Sequence, residues 1–533
     1  MTEPLGVVVG GSLSRGLEVR LGSAEAVESA KVGTFVTVQG VSYRFFGIIS
    51  DLSLLSTDPR LPVSVGQADP AVMSVLSGTS AYAVAEVMPM LTVGVGEDAP
   101  APAKSLPGHF APVYRASAED VAAIFGEEDA RHIYIGSPLD MEDMRVCLDL
   151  EEFVRRSNGV FGKSGTGKSV LTRILLAGIL QRGVATNLVF DMHSEYGWQS
   201  RAETGYDLAG LKQMFGSRVS VFSLDERSSI RRGLTPDYVA RIGFDEIEPE
   251  DIAILGGAMN ITDLGVQACY SLRRALGGDW VSKLLALSAD DMKERAEEFA
   301  SNPNTLDALR YRLRQLERLD FMSVRSPSGG GTVKQVLDHL EDGRHVVFEF
   351  GRYGDDLTAY LLVANLITRR IHAEYRDRTE RALASDGKEP SPLVITIEEA
   401  HRFLSQGIAS QTIFGTIARE MRKYHVTLLV VDQRPSGIDD EVLSQVGTRI
   451  AFQLDNDRDV DAVLMGAPGA RELRGVLRRL EPRQQALMFG HALPMPVVVR
   501  TRSYDGFAAE MRVPGYGAPG ASAGPRDKRD LFG

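Results

Sequence analysis

One octapeptide constrains this chain more than any other feature: residues 162–169 read Gly-Lys-Ser-Gly-Thr-Gly-Lys-Ser. This is the G-x-x-x-x-G-K-S pattern of a phosphate-binding loop. Its glycines let successive backbone N–H groups turn inward around phosphates, while Lys168 reaches the β and γ phosphates and the Ser169 hydroxyl ligates Mg²⁺. Apolar residues 159–161 precede the loop and helix-like residues 170–180 follow it, which predicts a strand–loop–helix site for ATP and Mg²⁺. A glycine loop without a ligand is the alternative.

Length and composition indicate an ordinary globular protein. The 533 residues leave room for two or three domains, and 44% are hydrophobic and 24% charged. The net charge of −12 argues against a basic outer surface but not against DNA, because a ring can concentrate Lys and Arg in a channel. Two cysteines, Cys147 and Cys269, stand in no metal-binding spacing, which favours a reduced, cytoplasmic compartment. We find no signal-peptide pattern and no apolar run of transmembrane length, so we expect no membrane partner.

The hydrophobic pattern divides the chain into segments. Residues 1–110 alternate apolar and polar positions, for example at 17–21, 34–38 and 43–49, which predicts a small N-terminal β-barrel or sandwich. Residues 111–235 and 343–512 alternate strands with helices, so we predict an α/β fold with a mostly parallel central sheet. The expected strands of that sheet are residues 186–190, 344–350, 393–397 and 427–431.

Four other segments carry less regular patterns. Residues 236–342 are helical and charge-rich, which predicts a helical insertion or subdomain; its basic helix at 306–316 reads as solvated rather than bound to nucleic acid. The composition of residues 97–103 predicts a linker or an exposed loop, and that of residues 376–392 predicts a polar loop. Residues 513–533 are rich in Gly, Pro and Ala, which predicts a flexible tail unless a neighbouring subunit orders it.

A second motif, residues 393–399, reads Leu-Val-Ile-Thr-Ile-Glu-Glu, an apolar strand that ends in two carboxylates. This is typical of a Walker B element, in which the first acid holds Mg²⁺ through its water shell and the second polarises the attacking water. We therefore predict Glu398 as a metal ligand together with Ser169, and Glu399 as the catalytic base. Such strands usually end in Asp, so Glu398 departs from the common pattern. An acidic cluster at a helix start is the alternative.

Gln433 follows the next predicted strand, residues 427–431. A polar side chain at the end of a core strand, one strand beyond the paired acids, suits a sensor of the γ-phosphate or of the attacking water. A loop glutamine with locally satisfied hydrogen bonds is the alternative.

Arginines supply candidates for a contact between subunits. In a ring ATPase, an arginine projected into the neighbouring site stabilises charge that develops on the γ-phosphate. Arg419 and Arg422 lie three residues apart on a predicted helix and share a face, and we do not choose between them. Arg155 and Arg156, just before the phosphate loop, are candidates for a second cationic contact. Solvated surface arginines are the alternative.

The candidate residues fall into three groups. The catalytic candidates are Glu398, Glu399, Gln433, Arg419 and Arg422. The nucleotide-binding candidates are Gly162, Ser164, Gly165, Thr166, Gly167, Lys168, Ser169, Val170 and Arg156. The metal-ligand candidates are Ser169 and Glu398.

Four motifs together resemble the HerA family of DNA translocases, which belongs to the FtsK–HerA branch of RecA-like ATPases. They are the phosphate loop, Asp-Met-His-Ser-Glu-Tyr at 191–196, Glu-Glu-Ala-His at 398–401 and Gln-Arg-Pro-Ser at 433–436. Residues 191–196 are similar to the family's Asp-Pro-His-Gly-Glu-Tyr, and residues 133–139 resemble the segment that leads into its core. The N-terminal strands look like its HAS barrel. The resemblance covers most of the chain and is weakest in residues 236–342 and the tail.

The resemblance implies an ATP hydrolase with a RecA-like P-loop core, assembled as a homohexamer that passes double-stranded DNA through a central channel. It also implies a NurA-like partner nuclease that docks on the N-terminal barrel and acts with the ATPase in DNA end resection and double-strand break repair. The sequence offers no nuclease metal cluster of its own, so cutting would come from that partner.

Two alternatives remain open at this point. One is a HerA-type scaffold that recruits a nuclease or sirtuin-like effector in antiphage defence, with little translocation. The other is a conjugation-type ATPase that pumps DNA at a membrane, and the lack of a membrane segment counts against a self-anchored form.

Overall fold

A computed structural model of this protein describes residues 3–57, 80–94, 99–201, 207–327, 331–385 and 389–511. The predicted tail, residues 513–533, and two residues of the predicted linker, Glu97 and Asp98, lie outside the described residues. The chain forms two compact units. The first contains Met1–Lys168, Gly178–Ala185 and Ile367–Thr501, and the second contains Ser169–Ala177, Thr186–Leu366 and Arg502–Gly533.

The strands, in chain order, are β1 Gly6–Ser12, β2 Gly16–Leu21, β3 Phe35–Gln39, β4 Tyr43–Ser56, β5 Ala81–Gly94, β6 Ala101–Pro102, β7 Pro112–Arg115, β8 His132–Pro138, β9 Val146–Asp149, β10 Asn158–Phe161, β11 Thr186–Asp191, β12 Ser200–Arg201, β13 Asp207–Leu208, β14 Val219–Ser223, β15 Tyr238–Val239, β16 Ile242–Gly243, β17 Met322–Ser323, β18 His345–Glu349, β19 Leu393–Glu398, β20 Val426–Asp432, β21 Thr448–Ala451, β22 Gln485–Gly490 and β23 Val497–Thr501.

The α-helices are α1 Ala24–Ser29, α2 Ala118–Phe125, α3 Leu150–Val154, α4 Lys168–Arg182, α5 Leu211–Phe215, α6 Glu226–Arg231, α7 Pro249–Ala253, α8 Gly256–Met259, α9 Asp263–Leu276, α10 Trp280–Ala286, α11 Ala289–Glu294, α12 Pro303–Leu313, α13 Gly331–Glu341, α14 Leu357–Ser385, α15 His401–Leu404, α16 Ile413–Glu420, α17 Asp440–Gln445, α18 Asp457–Leu464, α19 Ala470–Arg478 and α20 Tyr504–Glu510. Among the described residues, no helix combines the length and the apolar character needed to cross a bilayer.

The N-terminal strands close into a small antiparallel barrel. The strand order is β2-β1-β7-β3-β4-β5-β6, and an additional pairing of β2 with β5 closes the ring. The apolar positions of these strands face one shared core, which includes Val19, Val36 and Val113. Because β7 pairs with both β1 and β3, the barrel extends past residue 110, where we had placed its boundary. The alternation of the sequence therefore predicted the barrel correctly, but its last strand lies farther along the chain.

The rest of the first unit is built on a mixed sheet. Its strand order is β19-β20-β10-β21-β22-β23-β8-β9. The pairings among β19, β20, β10 and β21 are parallel, and those from β21 onward through β22, β23 and β8 to β9 are antiparallel. All residues of β19, β20 and β10 are buried, as expected for parallel strands covered on both faces. The carboxyl ends of these strands meet at one edge, where polar residues can act together.

The second unit contains a parallel group in the order β15-β14-β18-β11. Its three longer strands are buried throughout, in agreement with the continuous apolar runs of the sequence. The helices α7 to α13 follow β16 along the chain, in the segment where we predicted a helical insertion. These findings confirm the predicted α/β class with an N-terminal barrel and a core that is largely parallel.

One predicted loop is wrong. We expected a polar loop at residues 376–392, but helix α14 continues to Ser385. The charged residues that suggested a loop instead lie at helical spacing: Glu374 accepts from Arg378 at 2.7 Å, and Asp377 pairs with Arg381. Pairs of opposite charge at i,i+4 stabilise an exposed helix. A high content of charged residues therefore does not distinguish a loop from an exposed helix in this segment.

Candidate functional site

The phosphate loop follows β10 and has the strained backbone that its glycines permit. Gly162, Gly165 and Gly167 all have positive φ, at 152°, 76° and 113°. A Cβ at Gly162 would lie 2.6 Å from Cβ of Phe452, so only glycine fits there. The Gly162 N–H donates to the carbonyl of Asp432 at 3.2 Å, which anchors the loop to the end of β20. The loop is therefore a preformed cradle rather than an irregular turn.

Two side chains brace the interior of this loop. The Lys168 ammonium donates to the carbonyl of Lys163 at 2.8 Å, and the Thr166 hydroxyl donates to the same carbonyl at 2.8 Å. The Lys163 side chain points elsewhere, to Asp455 at 2.9 Å. Lys168 is thus held inside the loop as a buried cation, and Lys163 is an exposed one.

Helix α4 begins at Lys168 directly behind the loop. Its N-cap is Gly167, and no side chain caps this end. The first N–H groups of an α-helix have no partner within the helix and can bind an anion, and the helix dipole favours negative charge at the same place. Ser169 and Val170 lie in this first turn, where we predicted them. A loop of inward N–H groups, a lysine and a helix N-terminus are the donor set that a triphosphate requires.

The paired acids come at the carboxyl end of β19. Glu398 is the last residue of the strand and is 6% exposed. Glu399, the next residue, has a φ of 47°, in the left-handed region that a side chain disfavours. Backbone strain of this kind is concentrated at functional sites. The structure therefore gives the two acids different positions, one within the strand and one on a strained turn beyond it.

Gln433 and Glu399 are brought together by neighbouring strands. The side-chain amide of Gln433 donates to Oε1 of Glu399 at 3.0 Å. β19 pairs with β20 and β20 pairs with β10, so this contact and the phosphate loop share one sheet edge. The predicted sensor and the predicted base are in direct contact.

Two further residues at this edge had no predicted role. The Asp432 carboxylate is buried at the end of β20 and accepts from the His401 backbone N–H at 2.7 Å and from its ring Nδ1 at 3.0 Å. The hydrogen bond to Asp432 raises the pKa of the His401 imidazole above its usual value. The signals in the sequence were that His401 ends the Glu-Glu-Ala-His motif at 398–401 and that Asp432 directly precedes Gln433.

The structure gives a different result for each of the predicted arginines. Arg419 is the next-to-last residue of α16 and pairs with Glu441 at 3.4 Å, while the Arg422 side chain lies outside the described part of the structure. Arg156 lies at the amino end of β10, the end opposite the phosphate loop, and its guanidinium donates to Nε2 of His491 at 2.5 Å. The strand between them spans roughly 13 Å, so Arg156 does not reach the loop of its own chain. Its predicted nucleotide contact would have to be made with a neighbouring subunit.

The second unit holds a separate buried acidic pair. Asp191 ends β11 and Glu349 ends β18, directly opposite each other in the ladder. Three backbone N–H groups, those of Glu195, Tyr196 and Gly197, donate to Asp191 at 2.8, 2.8 and 3.2 Å. Burial, together with repulsion from Asp191, raises the pKa of Glu349 to about 7. Asp191 thus orders the Asp-Met-His-Ser-Glu-Tyr segment by accepting from its backbone.

Comparison with known proteins agrees with this geometry. Residues 133–371 match the family model described as helicase HerA, central domain, and residues 5–75 match that of the HAS barrel domain. The chain is 26% identical over 413 residues to the DNA double-strand break repair helicase HerA of Pyrococcus furiosus, covering 74% of this chain and 73% of that protein. It is 23% identical over 413 residues to the probable helicase MJ1565 of Methanocaldococcus jannaschii, covering 74% and 71%.

Among solved structures, VirB4 of Thermoanaerobacter pseudethanolicus superposes with a TM-score of 0.47 at 13% identity, covering 71% of this chain and 98% of that one. At this TM-score and identity, the structural similarity does not support a conclusion about function. The two family models and the curated relatives confirm the predicted family, and with it the prediction of an ATP-hydrolysing P-loop enzyme.

Proposed function

We propose that this chain, which belongs to the HerA helicase family, is an ATP-driven motor that translocates on double-stranded DNA in double-strand break repair. One observation supports the motor most strongly: the phosphate loop, Glu399 and Gln433 lie at the same edge of three adjacent parallel strands. Relatives named as DNA double-strand break repair helicases support DNA as the substrate.

The residues of this edge divide the work of hydrolysis. The loop N–H groups and Lys168 bind the β and γ phosphates of ATP, and the positive φ of Gly162, Gly165 and Gly167 gives the loop the sharply turned backbone that such binding needs. Glu399 accepts a proton from, and so polarises, the attacking water, while Gln433 orients that water or reads the γ-phosphate. Mg²⁺, held by the Ser169 hydroxyl and through water by Glu398, would neutralise charge on the phosphates; hydroxyl and carboxylate oxygens are its preferred ligands.

Assembly and partners form the second part of the proposal. We place six copies in a ring with duplex DNA in the channel, and Arg419 or Arg422 of one subunit acting on the nucleotide of the next. We expect a NurA-like nuclease to dock on the barrel, where Val41, at the turn between β3 and β4, is 99% exposed. Because single exposed apolar side chains are common on protein surfaces, Val41 serves here as the position at which a substitution can test this contact. A cytoplasmic location stays a prediction.

The motor is tested by displacement of streptavidin from the biotinylated end of a linear duplex. We expect displacement by the wild-type protein with ATP, and none with Lys168→Ala or Glu399→Gln. ATP hydrolysis without displacement, both by the protein alone and with the nuclease encoded by an adjacent gene, would contradict translocation and favour a scaffold.

The docking surface is tested by pull-down of that nuclease. Recovery of the nuclease by the wild type but not by Val41→Asp would support the docking surface, and equal recovery by the two proteins would refute it.

A further inference from the structure

The carboxylate of Asp432 joins two loops that carry different parts of the hydrolytic site. Its Oδ2 accepts from the His401 backbone N–H at 2.7 Å, and its Oδ1 accepts from the Arg434 backbone N–H at 2.6 Å. The His401 ring Nδ1 donates between the two oxygens, at 3.0 and 3.1 Å. Asp432 is 1% exposed, so these hydrogen bonds are made away from solvent. One buried side chain thus ties the loop after β19 to the loop after β20.

The residues held by this contact flank Glu399 and Gln433. His401 is two residues after Glu399, whose left-handed backbone, with φ at 47°, is unfavourable for a residue with a side chain. Gln433 lies between Asp432 and Arg434, both of which take part in the contact. The hydrogen bonds of Asp432 hold the backbone at His401, two residues after the Glu399 turn, and at Arg434, one residue after Gln433. The 3.0 Å contact of Glu399 with Gln433 lies between these two points.

The His401 ring also faces Glu399 directly. Its Nδ1 lies 3.6 Å from Oε2 of Glu399, too far for a hydrogen bond but close enough for electrostatic attraction. The Gln433 amide binds the other oxygen, Oε1. Each carboxylate oxygen of Glu399 therefore has a neighbouring side chain, and the contact with Asp432 sets the position of the His401 ring.

A metal site is the competing explanation for the same cluster. One ligand atom each from Glu399, His401 and Asp432 lie within 4.8 Å of one another. However, the Asp432 oxygens already accept from three N–H groups, which occupy about three of the four lone-pair sites of a carboxylate, and the ring Nδ1 that a metal would need is one of the three donors. The geometry favours a hydrogen-bonded contact over a metal centre.

We propose that Asp432 and His401 are positioning residues: their contact holds Glu399 in the conformation in which it polarises the attacking water. This inference rests on the proposed role of Glu399. It goes beyond that role because it assigns a function to His401 and Asp432, which in our mechanism contact neither ATP nor the attacking water.

The test compares His401→Ala with His401→Asn, because the side-chain N–H of asparagine can replace the Nδ1–H donor to Asp432. We expect His401→Ala to lower kcat for ATP by between about 10-fold and 100-fold, with the KM for ATP within about twofold of wild type. We expect His401→Asn to recover most of kcat. Fluorescent ATP-analogue binding and thermal melting of each variant show that it is folded.

His425→Asn is the matched control. His425 also pairs with a carboxylate, Glu389 at 3.2 Å, but it precedes β20 at the opposite end of the strand, and asparagine tolerates its φ of 58°. We expect wild-type turnover from this variant.

Three outcomes would overturn the inference: wild-type kcat in His401→Ala, equal loss in His401→Ala and His401→Asn, or loss of ATP binding together with kcat. One-to-one Zn²⁺ binding that disappears in His401→Ala would do so as well, in favour of the metal site. Glu399→Gln, measured in parallel, separates the two proposals. If that variant turns over normally, the role of Glu399 itself is wrong.

Discussion

The side-chain amide of Gln433 donates to the carboxylate of Glu399 at 3.0 Å, across the carboxyl ends of two adjacent parallel strands. The two residues are 34 positions apart in the chain. Their contact places the proposed water-polarising acid beside the proposed sensor, next to the strand that leads into the phosphate loop. The proposed water-polarising acid, the proposed sensor and the strand that leads into the phosphate loop therefore all lie within the first compact unit.

Replacing Lys168 with alanine should abolish ATP binding, because this ammonium is the one held inside the phosphate loop, 2.8 Å from the Lys163 carbonyl. The measurement is titration with a fluorescent ATP analogue. Lys163→Ala is the control: its side chain is exposed and pairs with Asp455, so it should bind nearly as well as wild type. Equal affinity of Lys168→Ala and wild type would remove the phosphate-loop assignment.

Replacing the arginine that acts between subunits should inhibit the ATPase activity of rings that contain both wild-type and variant subunits. If Arg422 or Arg419 completes the neighbouring site, ATPase activity should fall more steeply than the fraction of alanine variant added to wild type. Lys423→Ala is the control, since its ammonium lies 5.0 Å from the Tyr424 ring centroid and has no proposed role in the neighbouring site, so adding this variant should leave the activity unchanged. Proportional loss for both arginine variants would argue against action between subunits.

The buried pair of Glu349 and Asp191 should make stability depend on pH. Burial and the nearby Asp191 raise the pKa of Glu349 from 4.5 to about 7, against the opposing effect of Arg232. The folded chain therefore binds this proton more tightly than the unfolded chain. Its contribution is fully present below pH 4.5 and is lost as the pH rises towards 7.

Thermal melting at a series of pH values measures this loss, which should be on the order of 3 kcal/mol for the wild type. Glu349→Gln keeps an oxygen that can accept from Arg232 but cannot ionise, so its stability should fall less between pH 5 and pH 8. Parallel curves for the two proteins would show that Glu349 does not titrate in this range.

The buried guanidinium of Arg449 should be important for stability. It donates to the carbonyls of Val463, Met465 and Leu443, each at 2.6 Å, and burial lowers its pKa to about 10. Arg449→Met would leave these acceptors without their donor, so we expect the free energy of unfolding to fall by about 3 kcal/mol or more. Denaturant unfolding measures the change.

Arg474→Met is the control for Arg449, because Arg474 pairs with Asp461 at a partly exposed site, where the two side chains are 37% and 56% exposed. We expect its unfolding free energy to change by less than about 1 kcal/mol. Similar losses in the two variants would mean that the carbonyl contacts of Arg449 contribute nothing specific.

The sequence predicted what depends on local pattern. The phosphate loop, the helix behind it and the strands that end at Glu398 and Asp432 follow from apolar runs and glycine spacing, and the structure contains them. Those two strands are parallel neighbours in the sheet, which brings their polar ends together.

Other features depend on contacts that no local pattern encodes. The Asp432 contact with His401 requires the register of two strands, and the charged end of helix α14 read as a loop because its stabilising pairs lie four residues apart. Arg156 is close to the phosphate loop in sequence, but a strand separates them in space.

The most direct measurement is steady-state ATP hydrolysis by the purified chain, with and without linear double-stranded DNA, beside Glu399→Gln. A DNA-driven motor whose water is polarised by Glu399 predicts hydrolysis that duplex DNA stimulates and that the variant loses, while its affinity for ATP is retained. Hydrolysis that duplex DNA leaves unchanged, or that survives in Glu399→Gln, would contradict it.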